Sequence, residues 1–114
     1  MEDSWGCWVG KLRALSSEQR LHLFELLAHN LTVAARAAWS DPELSAEDQL
    51  DSLKQINECL HRVTSRVWVQ RLNTHRWTDE DFISLLSQAD AALHPRVRGG
   101  IAFAFRQSYA AVAT

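Results

Sequence analysis

The sequence has few residues that interrupt helices and no apolar run long enough to cross a membrane. It contains four glycines and two prolines in 114 residues, which excludes collagen-like and low-complexity chains. The longest dense apolar stretch, residues 101–105, is far shorter than the ~18 residues of a membrane-spanning helix. The first residues, Met1-Glu2-Asp3, are acidic where a secretory signal would be basic. We therefore expect a cytoplasmic protein with no membrane segment.

Neither sign of charge dominates the chain. It carries 12 basic and 14 acidic side chains, for a formal net charge of -2, so no global field attracts nucleic acid or a membrane surface. Apolar residues make up 46% of the sequence, and a chain of this length can bury roughly two thirds of its unfolded surface. Length and composition together predict one compact domain that covers residues 1–114.

Signatures of catalytic and metal sites are also missing. The two cysteines, Cys7 and Cys59, form no Cys-x-x-Cys pair, and we expect both to be reduced thiols. Side chains two apart on a helix do not face each other, which removes a nucleophilic pair of Cys59 and His61. A carboxylate-bridged di-iron bundle uses two Glu-x-x-His pairs and two further glutamates, and this sequence offers only the single pair Glu58-x-x-His61. The sequence therefore predicts no enzyme activity, no metal and no cofactor.

The pattern of the rest of the chain is helical. Start and stop signals predict helices over about 16–39, 45–72 or 75, 78–93 and 101–112, after a tryptophan-rich leader at 1–14. In the last segment apolar residues also alternate as they do in a strand, but the chain offers no second strand for pairing. We therefore predict an all-α antiparallel bundle of about four helices, with the leader docked on it.

Local signals set the ends of the first two helices. Ser16 and Gln19 have the spacing of a capping box at the start of the first helix. Pro42 ends that helix, because the residue before a proline is pushed out of the helical conformation. Ser45 begins the second helix and is followed by acidic residues in the first turn, where the helix dipole favours them.

The first long helix is apolar around too much of its circumference. Beyond its core face, Leu23, Leu26 and Val33 extend the apolar arc and leave a narrow polar stripe. Each large apolar side chain left in water would forgo ~1.5 to 3 kcal/mol. Either the chain covers this second face itself, or another chain does. We favour a two-fold homodimer, with Trp5 and Trp8 of the leader also at the interface.

Polar and aromatic side chains line the flank of the second helix, beside its core seam. This stripe fits the edge of a core, with its polar groups bonded to neighbours. It also fits a contact surface, because such residue types are enriched where proteins recognise partners or ligands. A similar stripe runs along the first helix. The predicted binding residues are Asn57, His61 and Trp68 on the second helix and His29, Arg36 and Trp39 on the first.

Arginines cluster between residues 62 and 76 and again within 96–106. Interleaved with tryptophans, they could hold phosphates and stack on bases. Dense acidic residues elsewhere oppose this interpretation, and basic residues near helix C-termini are expected from the dipole alone. The candidate nucleic-acid contacts of the first cluster are Arg62, Arg66, Arg71 and Arg76.

Two functions are therefore weighed against each other. The sequence favours a small cytoplasmic helical protein that works through protein–protein interaction, as a homodimeric adaptor, inhibitor or regulator. The alternative is a small nucleic-acid-binding regulator that uses the arginine-rich segments. The first function depends on an apolar surface and the second on a basic one, so the two are separable by experiment.

Overall fold

The structure, a computed structural model, describes residues 5–72 and 79–113, and of residues 66–72 the backbone only. All regular secondary structure within these ranges is α-helical, which confirms the predicted class. The helices are α1 (Trp5–Arg13), α2 (Ser17–Trp39), α3 (Ala46–Leu72), α4 (Asp79–Ala91) and α5 (Gly100–Val112). The described part of the chain thus has five helices where about four were predicted, because the leader is itself a helix.

Helix α1 forms despite two glycines in nine residues, Gly6 and Gly10. Each glycine inside a helix costs about 1 kcal/mol relative to alanine. Packing offsets this cost, because Leu12 is completely buried in the core and the Trp8 ring packs against α5. Tertiary contacts have overridden a poor local propensity in this segment.

Capping residues act at the predicted positions. The Gln19 N–H donates to Ser16 Oγ (3.1 Å), and the Ser16 N–H donates to Gln19 Oε1 (2.9 Å), so the capping box at the start of α2 is confirmed. At the start of α3 the Asp48 N–H donates to Ser45 Oγ (3.1 Å). Between these helices, the Glu43 N–H donates to Asp41 Oδ1 (2.9 Å) and tightens the connecting turn.

The last segment is a helix rather than a strand. Residue Gly99, with φ +96°, adopts the left-handed conformation that glycine tolerates best. The buried Asp90 carboxylate of α4 caps α5, because its Oδ1 accepts from the N–H groups of Gly99 and Ile101, both at 3.0 Å. The fully buried side chains of α5 recur with helical spacing. They are Ile101, Phe105 and Ser108.

Helix α2 lies at the centre of the molecule, between α3 and α5. It runs antiparallel to α5, since Gln19 Nε2 donates to Val112 O (3.1 Å) at one end and Asn30 Nδ2 donates to Ser108 Oγ (2.9 Å) further along. The molecule measures 41 × 31 × 26 Å. Of the helices in the described ranges, none has both the length and the apolar character that a membrane span needs.

Ion pairs join α1 and α2 to the start of α4. The half-buried Arg20 donates to Leu12 O (2.8 Å) at the end of α1 and to Asp79 Oδ1 (2.6 Å) on α4. Arg13 pairs with Glu80 on the same turn of α4. These contacts fix the C-terminal end of α1 against its own domain.

Candidate functional site

An apolar groove of about 340 Å³ opens where the second half of α2 and the first half of α5 lie side by side. Its floor consists of buried side chains, among them Ala38, Ile56 and Ala104. Its two edges carry the exposed side chains Val33, from α2, and Phe103, from α5. A volume of this size is typical of sites that bind a ligand or a partner side chain.

Small residues create this groove. The positions of α2 that line it include Ala34 and Ala37, and α5 contributes Gly100. A Cβ atom placed on Gly100 would meet no atom within 4 Å, so the space beside it is open. Larger side chains at these positions would fill the gap between the helices, and the groove exists because the sequence does not supply them.

Exposed apolar residues are concentrated at the groove. Among the described residues four large apolar side chains are exposed, and two of them, Val33 (52%) and Phe103 (57%), face this one groove. The others, Trp39 and Leu50 (44%), do not line it. Scattered single apolar residues are normal on a protein surface, whereas apolar side chains grouped around one groove make it a candidate interaction site.

The helical wheel of α5 could have revealed Phe103 from the sequence. Phe103 follows Ile101 by two residues, and two residues on a helix turn by about 200°. A helix that buries Ile101 must therefore direct Phe103 away from the core. The sequence predicted a helix over this segment after a strand had been weighed against it, but Phe103 was not among the predicted site residues.

Polar groups around the groove are held by internal bonds. Asn30 Nδ2 donates to Ser108 Oγ, which in turn donates to Ala104 O (2.7 Å). At the far end, Arg96 Nε donates to Asp41 Oδ2 (2.7 Å). This hydrogen bond from Arg96, together with the one from the Glu43 N–H, holds the pKa of Asp41 below its usual value. The charges of Asp41 and Arg96 at this end of the groove therefore offset each other in an ion pair.

The three predicted interface residues of α2 differ in how far their own chain buries them. Leu23 is completely buried by its own chain, and Leu26 is half-buried against the core. The expectation that Leu23 needs a second chain is therefore corrected, because the packing of α2 within this chain buries it completely. For Leu26, which is only partly buried, the interface role stays a prediction. Val33 alone of the three is open to solvent.

The leader tryptophans dock on their own domain. The Trp8 ring lies edge-on to Phe105, with ring centroids 5.1 Å apart, and edge-on to Tyr109 at 5.0 Å. Trp5 lies 6.0 Å from Phe105, at a tilted angle. Both tryptophans are half-buried, so much of the apolar area assigned to an interface is already covered within the chain.

The predicted binding residues lie on two separate exposed stripes. His29, Arg36 and Trp39 are exposed on α2, and Asn57 and His61 are exposed on α3. Within the described ranges no hydrogen bond, ion pair or ring contact connects the two stripes. The side chain of the sixth residue, Trp68, lies outside the described residues.

The arginine clusters are only partly visible. Arg62 is exposed on α3, while Arg76 and the side chains of Arg66 and Arg71 lie outside the described residues. In the second cluster Arg96 is bonded to Asp41, and Arg98 Nε donates to Leu93 O (3.2 Å). These last two guanidinium groups hold the turn between α4 and α5. The described residues include no cluster of three or more potential metal ligands.

The two thiols differ in exposure. Cys7 is exposed on α1, while Cys59 is buried on α3, beside a cleft of about 200 Å³ between α3 and α4. Burial raises the pKa of the Cys59 thiol to about 11. Because the thiolate is the reactive form, Cys59 is inert near neutral pH.

Comparison with known proteins yields no relative. No protein-family model, curated protein or solved structure matches the chain. The groove is therefore the feature from which a function can be proposed.

Proposed function

We propose that this protein acts through protein–protein interaction, as a two-fold symmetric homodimer whose interface is the α2–α5 face. We define this face as the groove edges Val33 and Phe103 together with Ala37, Gln107 and Ala110. The observation that carries the proposal is the exposure of Val33 and Phe103 across one apolar groove. Complete burial of such a side chain contributes ~1.5 to 3 kcal/mol, and burying the exposed half of each of these two would contribute about half of that.

The composition of the face supports a protein partner. The exposed residues that α5 contributes to this face, Phe103, Gln107 and Ala110, are uncharged. The nearest exposed charges, Arg36 and Arg106, lie at its borders. Depletion of charge at the centre and polar groups at the rim are typical of protein interfaces.

A second copy of the chain suits this face because a projecting side chain, Phe103, and an open groove occur on the same surface. In a two-fold dimer each surface patch must complement itself. Here Phe103 projects beside a groove that is lined by alanine and glycine. Two helices about 10 Å wide and about 20 Å long present roughly 400 Å² in projection. For two copies this makes roughly 800 Å² in total, which is below the standard size of stable interfaces and corresponds to a weak, reversible dimer.

Sedimentation velocity over a range of protein concentrations tests the proposal. We expect a monomer–dimer equilibrium for the natural chain and a dissociation constant at least about tenfold weaker for Val33→Glu, since burying a carboxylate in an apolar interface removes its hydration. Leu50→Glu is the matched control, because Leu50 is similarly exposed (44%) and lies outside the groove. A natural chain that stays monomeric, or equal weakening by both variants, would refute the proposal.

Further contact residues stay open in such a dimer. Trp39 on α2 and Asn57 and His61 on α3 are exposed and do not line the groove. A dimer that presents two copies of these stripes has the properties of an adaptor or regulator, with a second protein bound outside the α2–α5 face. Substitution of Trp39 is therefore expected to leave self-association unchanged.

A further inference from the structure

We infer that Phe103 of each copy inserts its ring into the α2–α5 groove of the other copy. This inference rests on the proposed homodimer and specifies which side chain fills which cavity. It assigns Phe103 as the anchor of the interface, and the groove floor beside Ala34, Ala37 and Gly100 as its receptor.

The placement of Phe103 within α5 is the first argument. Its neighbours Ala102 and Ala104 are buried, while Phe103 is 57% exposed. The chain thus directs two small side chains inward and the large one outward. A phenylalanine on the outside of a helix loses the stabilisation of burial, and contact with a second chain restores it. Aromatic side chains seated in pockets are typical anchors of interfaces.

The size of the groove is the second argument. A cavity of about 150 Å³ is enough to hold a benzene molecule, and the groove measures about 340 Å³. It therefore has room for a phenyl ring and for the methylene group that carries it. The lining is apolar at its floor, where Ala38, Ile56 and Ala104 are buried, so an inserted ring would leave no buried polar group without a partner there.

Symmetry is the third argument. Phe103 lies on the edge of its own groove, so a two-fold axis near that edge brings each ring over the groove of the other copy. One insertion then implies the second, and two rings are buried per dimer. The small residues Ala37 and Gly100 also allow the two copies to approach closely.

The charges near the groove make it possible to distinguish binding of a second copy of this chain from binding of an acidic partner. Asp41 is neutralised by Arg96 (2.7 Å), and the exposed side chains at the borders are Arg36 and Arg106. An acidic helix would bind these arginines, and its affinity would fall as salt rises. Two copies of this chain bring like charges to the rim, so added salt should leave self-association unchanged or strengthen it slightly.

Complementary variants test the insertion directly. Phe103→Ala removes the projecting ring and leaves the groove open. Ala37→Phe fills the groove and keeps the Phe103 ring. Both positions are exposed, so both variants should fold, and circular dichroism with thermal unfolding checks this. Leu50→Ala is the control for the loss of an exposed apolar side chain outside the groove. Sedimentation velocity of each variant, and of a 1:1 mixture of the first two, measures association.

Each variant alone should dimerise about a hundredfold more weakly than the natural chain, because both insertions are lost. In the mixture Phe103 of the Ala37→Phe chain can enter the open groove of the Phe103→Ala chain. One insertion is recovered, and the heterodimer should form about tenfold more tightly than either homodimer. The Leu50→Ala variant should behave like the natural chain.

The outcomes distinguish the inference from the function on which it rests. A natural chain that remains monomeric overturns both. A natural dimer that Phe103→Ala leaves unchanged, or a mixture that associates no better than its components, overturns the insertion and leaves the homodimer standing. A dimer that weakens steeply with salt also contradicts the insertion, because its interface would then depend on charge.

Discussion

Two apolar side chains of α2, one in each half of the helix, are covered to opposite degrees. Leu23, in the first half, is completely buried, while Val33, in the second half, is 52% exposed. The end of α5 lies beside the first half, where Gln19 Nε2 reaches Val112 O. Beside the second half, α2 and α5 present small residues such as Ala34 and Gly100, and the groove remains. Side-chain size on neighbouring surfaces, rather than the pattern of one helix, decides which apolar residues are covered.

The largest expected difference between the two halves is in the free energy of unfolding. Leu23→Ala should lower it by about 2–5 kcal/mol, because a cavity is left in a closed core. Val33→Ala should change it by no more than about 0.5 kcal/mol, as is usual for surface positions. Urea denaturation at protein concentrations where the monomer dominates measures both. Equal losses would show that α2 is covered evenly and that the comparison is wrong.

The Asp90 carboxylate caps α5, and the first half of this helix borders the groove. Removal of the Asp90 carboxylate leaves the buried N–H of Ile101 without an acceptor, so Asp90→Ala should cost about 1–3 kcal/mol. Asp90→Asn retains an acceptor oxygen and should cost less. Urea denaturation of the two variants compares them. If Asn is as harmful as Ala, loss of the carboxylate charge rather than of the acceptor must be responsible.

A smaller effect of opposite sign is expected at Ser52, one turn before Ile56 on the groove floor. Ser52 Oγ is buried and has no hydrogen-bond partner among the described residues. Ser52→Ala removes a buried hydroxyl and should raise the free energy of unfolding by about 1 kcal/mol. Ser65→Ala, at an exposed position of α3, measures the contribution of helix propensity alone. A gain no greater than that of the control would mean that Ser52 is hydrogen-bonded after all.

The smallest effect concerns the ion pair between Arg96 and Asp41 at the far end of the groove. Because Arg96 lowers the pKa of Asp41, the pair contributes stability above the ordinary carboxyl pKa. That contribution is lost as the pH falls through the lowered value. The melting temperature of Arg96→Gln should therefore lie slightly below that of the natural chain at pH 7, and the difference should vanish in acid. A difference that persists in acid would assign the effect to packing of the Arg96 side chain.

Sequence reasoning located the helices because their end signals are local. The capping box of Ser16 and Gln19 needs only the four residues that form it, and Pro42 acts on its immediate neighbour. The helix in the leader was not predicted in this way, because Gly6 and Gly10 oppose a helix locally. Burial of Leu12 outweighs them only once α1 is packed on the domain.

The candidate site was predicted in part. Val33 follows from the apolar surplus of α2, but Leu23 shares that surplus and is buried by its own chain, and Leu26 is partly buried by it. This error arises because a pattern along one helix contains no information about the volume of its neighbours. Phe103 was missed for a different reason, since its spacing from Ile101 on α5 was already enough to place it away from the core.

Local signals are enough to predict an all-α chain and the start of α2 near Ser17, because caps and breakers act over a few residues. Whether an apolar side chain such as Val33 meets solvent depends instead on how the helices pack. The α2–α5 groove arises because small residues from two distant segments lie side by side, with Ala37 on one wall and Gly100 on the other. That arrangement depends on how the helices pack, which no local pattern specifies.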